Sequence, residues 1–227
     1  MGLSNVAGNR IEPEATRTLT LATTDQLTGA GGFTKGDAGT LAISASQNFA
    51  GSAVVSAGTM VLSSAATFTA ASNVTVNAGA TFSNNSSVAL SRDLVLAEGA
   101  IVAGTGAFAP TSLTITGDLS DGFTTFAMGS TSLTKSNTLA MTLTGITNGS
   151  FTLFSGSALT GTFSALTVNG TALTNIGSGN FAGSAGGFDY TFTDSSNVLG
   201  VVPEPSTMAL VGLGLATLLW MRRKRSA

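Results

Sequence analysis

Two side chains that carry much of enzyme chemistry are missing here: the 227 residues contain no cysteine and no histidine. Without cysteine there is no disulfide framework and no thiolate metal site. Without histidine the commonest general base and the commonest metal ligand are gone, and with them any Ser-His-Asp triad or histidine-containing zinc site. Charged residues make up only 9%, proline occurs four times, and tryptophan and tyrosine once each. There is no G-x-x-x-x-G-K-[ST] segment and so no nucleotide P-loop. The net charge is −2, yet Arg222, Arg223, Lys224 and Arg225 supply four of the nine basic residues. Residues 1–205 thus hold five basic residues against all eleven acidic ones, about −6. A mildly acidic body lacks the clustered Lys/Arg that a phosphate backbone requires, which argues against nucleic acid as a partner.

What is abundant is glycine, at 29 residues, with serine and threonine together about a quarter of the chain. Val, Leu, Ile and Phe recur among them at regular intervals. That pattern suits a β-rich fold with many tight turns rather than disorder. Four stretches align: AGTLAIS from Ala38, AGTMVLS from Ala57, AGATFSN from Ala78 and EGAIVAG from Glu98. Their glycines, Gly39, Gly58, Gly79 and Gly99, are spaced 19, 21 and 20 residues apart. Short strand-like runs (SAVVSAG, NVTVNAG, DLVLAEG) lead into three of them, so the unit reads strand, turn at glycine, strand, loop. A period near 20 with strand content predicts a solenoid whose coils bury their apolar rows only against neighbours. A right-handed parallel β-helix fits this coil length, with the four glycines at equivalent corners and supplying a positive φ there. An antiparallel meander or sandwich with chance spacing is the alternative.

Residues 39–64, GTLAISASQNFAGSAVVSAGTMVLSS, resemble the autotransporter-associated β-strand repeat of bacterial surface passengers. The matching features are the Gly-Thr-Leu opening, the centre with Asn48, Phe49 and Gly51, and the Ser-Ala-Gly-Thr-Met close. The usual Thr-Thr before the Val pair is reduced to Ser52-Ala53, and continuation to about residue 105 is looser. After Pro110 the 20-residue beat blurs and Phe becomes denser. Residues 111–200 read either as continued β-helix with a cap or as a small β-sandwich. A solenoid end presents unpaired strand edges and needs capping.

The C-terminal run VPEPSTMALVGLGLATLLWMRRKR has a different character. Residues 206–221 are uncharged and mostly apolar, about 24 Å of helix at 1.5 Å per residue. That is slightly short of the roughly 30 Å hydrocarbon core, a gap that snorkelling basic side chains and an interfacial Trp220 make up. The expectation is a single transmembrane helix, with Arg222, Arg223, Lys224 and Arg225 on the cytoplasmic side and the body across the membrane. Pro203 and Pro205 keep the segment before it extended and non-helical. Pro203, Glu204 and Pro205, an apolar helix and a basic terminus, in that order, resemble the PEP-CTERM protein-sorting signal of Gram-negative bacterial exported proteins. The resemblance covers residues 202–225. It implies that a membrane-embedded cysteine transpeptidase-like enzyme, exosortase, reads Pro203, Glu204 and Pro205, removes the tail and passes the protein to the cell surface or extracellular matrix. An exported chain needs an N-terminal signal, and residues 1–24 contain no apolar stretch of the 7–15 residues required. The expectation is a start placed too late, with a fragment as the alternative.

A search for chemistry yields little. Asp118 and Asp121 in GDLSDG could ligate Ca²⁺ or act as acid and base, but Asp and Gly also mark an ordinary solvated turn, which is the reading preferred. Arg92 and Asp93 read as a solvated pair, and Asp194-Ser195-Ser196-Asn197 as another turn. Gly183 to Gly187 form a Gly-rich loop before a strand, not a phosphate cradle before a helix. No cofactor, metal or catalytic residue is assigned. The expected protein is therefore all-β, a parallel β-helix (solenoid) body with a single C-terminal transmembrane helix. Its segments are an N-terminal stretch 1–34, repeats at 35–110, a continuation or cap at 111–200, and a sorting signal at 201–227. The expected function is a non-catalytic surface or matrix protein processed by exosortase. Two other classes remain. One is a glycan-binding adhesin using Thr/Asn ladders, with extracellular polysaccharide as partner, and the other a β-helix polysaccharide-degrading enzyme.

Overall fold

The computed structural model describes residues 9–128, 131–156 and 159–204. The described residues are all β-strand, turn and loop, without a helix. Alternation explains the strands. In Thr40–Ile43, Asn73–Val76 and Asp93–Ala97 every second residue is apolar and buried while its neighbours stay half-exposed. A single such strand has an apolar row and nothing to cover it. Stacking parallel copies solves the problem.

One wall of the solenoid stacks eight parallel strands: Arg10–Ile11, Phe33–Lys35, Ala53–Val55, Asn73–Val76, Asp93–Ala97, Ser112–Asp118, Thr138–Thr144 and Ala165–Val168. A second parallel wall stacks Thr18–Leu21, Thr40–Ile43, Thr59–Ser64, Thr81–Ser86 and Ile101–Gly104. The third side is made of short strands and bridges, including Asn48–Phe49 on Thr28–Gly29 and Ser132–Thr134 between Ala107–Phe108 and Leu159–Thr160. Inside, ladders of like residues run along the axis: Phe33, Ala53, Val74, Leu94, Leu113, Leu139 and Leu166 in one register, and Val55, Val76, Leu96, Ile115, Met141 and Val168 in the next. Each Val, Leu, Ile, Phe or Met among them is worth about 1.5–3 kcal/mol when fully buried, and the gain exists only once the next coil is in place. Phenylalanines add edge-on stacks, with Phe49 lying 5.2 Å from both Phe33 and Phe68.

The parallel solenoid expected from the period is present, with two corrections. The four corner glycines fall into two registers. Thr40 faces Thr59, Thr59 faces Thr81 and Thr81 faces Ile101, so Gly39 stacks on Gly58 and Gly79 on Gly99, with a one-residue offset between the pairs. The cause is the longer step from Thr59 to Thr81. The glycines also serve different needs. Gly58, Gly79 and Gly99 have φ of +62°, +72° and +76°. At the Gly39 corner the left-handed residue is instead Asp37, with φ 54°. Gly39 is there for close approach: a Cβ on it would lie 2.2 Å from the Glu14 carbonyl oxygen and 2.4 Å from that of Pro13.

Along the first wall, consecutive coils advance by 24 residues (Ile11 to Lys35), then 20, 21, 20 and 19, then 26 and 27. Stacking therefore begins at residue 10 and continues past Pro110 as two longer coils. Beyond Ala165–Val168 the pairing turns antiparallel. Thr171–Gly177, Asn180–Ala185, Phe188–Thr193 and Val198–Pro203 form a meander that closes back on Gly149–Thr152. Three of its turns are two-residue hairpins with positive φ at both positions: Asn169-Gly170, Ser178-Gly179 and Gly186-Gly187. Such turns match the right-handed strand twist and lead the chain straight back. Gly183 lies inside a strand and Gly186-Gly187 is one of these turns, so the Gly-rich stretch is hairpin chemistry. The meander covers the last coil's free edge.

Candidate functional site

Pro203 ends the last strand of the cap and Glu204 follows it. Val198–Pro203 is held between Phe188–Thr193 and Gly149–Thr152. Val201 is buried in the cap, while Val202 is 56% exposed. Pro203 sits opposite Phe188, and the Glu204 N–H donates to the Gly187 carbonyl at 3.0 Å. Both motif residues are exposed to solvent. Pro205, Arg222, Arg223, Lys224 and Arg225 lie outside the described residues, as does the expected helix 206–221. Among the described residues no helix is long and apolar enough to cross a membrane.

Of the carboxylates singled out in the sequence, Asp118 is held by its own turn and by the next coil. Asp118 accepts from the Ser120 N–H at 2.8 Å and from the Thr144 hydroxyl at 3.0 Å. Hydrogen bonds from Ser120, side chain and backbone, and then from Thr144, hold its carboxyl below the usual range. Glu98 lines the same shallow cleft as Asp118 and Asp121 and accepts from the Asp118 N–H at 2.8 Å and the Thr124 N–H at 2.6 Å. A general acid at neutral pH needs its pKa raised, and Asp118 is shifted the other way. Among the described residues no group of three or more His, Cys, Asp or Glu is placed to hold a metal ion. Arg92 does not pair with Asp93. Its guanidinium donates to the carbonyls of Phe68 (2.9 Å) and Thr69 (2.5 Å) on the preceding coil, while Asp93 accepts from the Thr111 hydroxyl.

Three buried polar centres escaped the sequence reading. Lys35 is fully buried, and its Nζ donates to the carbonyls of Gly36 (2.8 Å), Asp37 (2.7 Å) and Ala57 (2.8 Å). Burial pulls its pKa down, and Asp37 partly opposes this. Gln47, also fully buried, accepts from the Leu27 N–H and donates to the Thr23 and Ala45 carbonyls, clamping two coils. Lys135 joins the solenoid to the cap: its Nζ donates to the Asp194 carbonyl and to Asn197 Oδ1, both at 2.9 Å, and lies 3.2 Å from Asp194 Oδ1. Burial pushes the Asp194 carboxyl up, and the Lys135 ammonium opposes that. The one sequence signal was position. Lys35 occupies an inward place in Phe33-Thr34-Lys35, where a solvated lysine would not sit. All three centres bond to neighbouring coils or the cap, which is the chemistry of structural staples.

Compared with known families, residues 201–224 match the one described as PEP-CTERM protein-sorting motif. The match spans the Val201–Glu204 end of the cap strand and the tail beyond it. No curated protein and no solved structure matches the chain. What the fold and the site define together is a capped β-solenoid carrying a PEP-CTERM sorting motif, and that motif implies export to the cell envelope or surface and processing by an exosortase.

Proposed function

We propose that the protein is a non-catalytic β-solenoid of the cell surface or extracellular matrix, held in the inner membrane by a helix at 206–221 and released when exosortase cuts at Pro203-Glu204-Pro205. The observation that carries this is the sorting motif at 201–224, with Pro203 and Glu204 exposed at the end of the cap. The non-catalytic reading is supported by Glu98, whose two oxygens accept from backbone N–H groups, and by Asp118, whose oxygens accept from the Ser120 N–H and the Thr144 hydroxyl. The resemblance of residues 39–64 to autotransporter repeats fits the roles of Phe49 in the core stack and of Gly51, where a Cβ would lie 2.1 Å from the Gly32 nitrogen. Intact mass of the surface fraction from an exosortase-positive host tests the proposal. The mature form should lack residues beyond about 205, and Glu204→Ala should leave the full-length chain in the membrane. Trp220 still attached to the surface form refutes it.

One observation favours a second reading, a glycan adhesin. Thr34, Thr75, Thr114 and Thr167 alternate with Val54, Val95 and Ala140 in one outward register of the first wall, beside a second register of Ser52, Asn73, Asp93, Ser112 and Thr138. Retention of the purified body on neutral polysaccharide, abolished by Thr75→Lys, would support it, and equal passage of both would remove it.

A further inference from the structure

The join between body and sorting tail has no slack. Val198–Pro203 is a strand of the cap up to its last residue, and the Glu204 N–H still bonds to Gly187. Two of the three motif residues are thus fixed by the fold. The other neighbour of this strand, Gly149–Thr152, reaches only to Val201, which faces Gly149. Beyond Val201 that edge is open. Along an antiparallel pair, successive residues turn their N–H and C=O groups alternately toward and away from the partner. Glu204 turns its N–H toward Gly187, so Pro203 turns its nitrogen and carbonyl toward the open edge. Proline has no N–H to lose there, and an edge position is where a sheet tolerates it.

We propose that the processing enzyme reads this strand end as folded structure: the cap presents Val202, Pro203 and Glu204 preformed, extended and open on one edge, and the enzyme docks along that edge. The inference rests on the sorting function proposed above. Extended peptide added strand-wise to a sheet edge is a recurring recognition mode. Here the ordering of the peptide is complete once the cap has folded, so binding loses less chain entropy than it would with a free tail. The cap closes only when Gly149–Thr152 from the solenoid and Val198–Pro203 from the C-terminus have met. Processing would then report that the last element of the fold is in place.

The test uses the full chain in an exosortase-positive host, with processing followed by pulse-chase and intact mass. Six Gly/Ser residues inserted between Val202 and Pro203 detach the motif from the sheet while its sequence and its spacing to the tail stay unchanged. Phe192→Asp opens the buried face of the cap and leaves the motif sequence untouched. Both variants should be processed about tenfold more slowly per surviving chain, and the insertion should leave the protease resistance of the body unaltered. Should six residues disturb the body, Gly-Ser alone at the same place carries the same expectation. Processing of either variant at or above the wild-type rate overturns the proposal while leaving the sorting function standing. An uncut wild type, or Glu204→Ala cut at the wild-type rate, overturns both.

Discussion

Lys135 and Asp194 hold the cap to the solenoid through a buried charge, and removing one partner should expose how much depends on it. Their side chains are 4% and 2% exposed. Lys135→Met keeps most of the volume and the apolar stem beside Phe163, whose ring centroid lies 5.8 Å from the ammonium. It deletes the hydrogen bonds to the Asp194 carbonyl and Asn197 and leaves the Asp194 carboxylate buried without its counter-charge. Breaking a buried pair from one side typically costs about 3–5 kcal/mol. Against a domain stability of about 5–15 kcal/mol this is a large fraction. The loss should depend on pH, and its sign follows from Asp194. Burial already raises its carboxyl above the ordinary value, and Lys135 is what opposes that rise. Without Lys135 the carboxyl should rise further. An acid whose folded pKa exceeds its unfolded one is protonated first in the folded state, so stability grows as pH falls from the folded toward the unfolded value. The deficit of the variant should be largest at pH 7 and narrow toward about pH 4, near the ordinary carboxylate range. Adding Asp194→Asn should recover much of the loss at pH 7. Tyr190, the only tyrosine, lies buried in the cap, so the tyrosine band of the near-UV circular dichroism during urea unfolding follows this element. A deficit below about 1 kcal/mol at pH 7, or one that does not narrow in acid, would show that the pair is not the staple argued here.

Other substitutions separate the forces at work. Gly104→Ala places a Cβ 2.1 Å from the Asn84 carbonyl oxygen at φ +110° and should cost about 3 kcal/mol or more, whereas Gly79→Ala, at φ +72° with open space, should cost only about 1–2; equal urea midpoints for the two would contradict the packing argument. Lys35→Ala orphans three carbonyls and should cost about 3 kcal/mol at roughly 1 kcal/mol each, read as a lowered melting temperature. The Tyr190 hydroxyl is buried without a hydrogen-bond partner and burial raises its pKa, so Tyr190→Phe should stabilise the cap by about 1 kcal/mol, and a clear loss would reveal an uncounted partner.

How much of this was legible depends on what repeats. Between residues 35 and 105 the coils are nearly equal in length and the first-wall strands Ala53–Val55, Asn73–Val76 and Asp93–Ala97 each turn two aliphatic residues inward, so spacing alone revealed the stacking. It failed on both sides for the same reason. The first coil takes 24 residues and the last two take 26 and 27, with loops such as 119–125 inserted between strands whose alternation is intact. A period is visible only when insertions are equal. The cap was legible in principle from Asn169-Gly170, Ser178-Gly179 and Gly186-Gly187, hairpin turns rather than a loose Gly-rich loop. The buried charges were not. A lone lysine or aspartate among serines and threonines looks solvated, and only the meeting of Lys135 with Asp194, 59 residues away, desolvates both.

The cap also explains where a sorting signal can sit on such a fold. A parallel coil passes its chain end to the next coil, and its last strand leaves an edge that invites pairing with another molecule. Three tight hairpins close that edge at Ala165–Val168. The sheet then curls until Val198–Pro203 meets Gly149–Thr152, a strand of the preceding coil. Beyond that meeting the last strand keeps a short open stretch after Val201, where Pro203 offers no N–H and Glu204 carries a charge. Proline and charge on a short edge are the features that discourage indiscriminate strand addition. A sorting motif placed there blunts this strand end while one extended segment stays open to an enzyme that recognises it. The same sequence, Pro-Glu, thus blunts the edge of the fold and carries the signal.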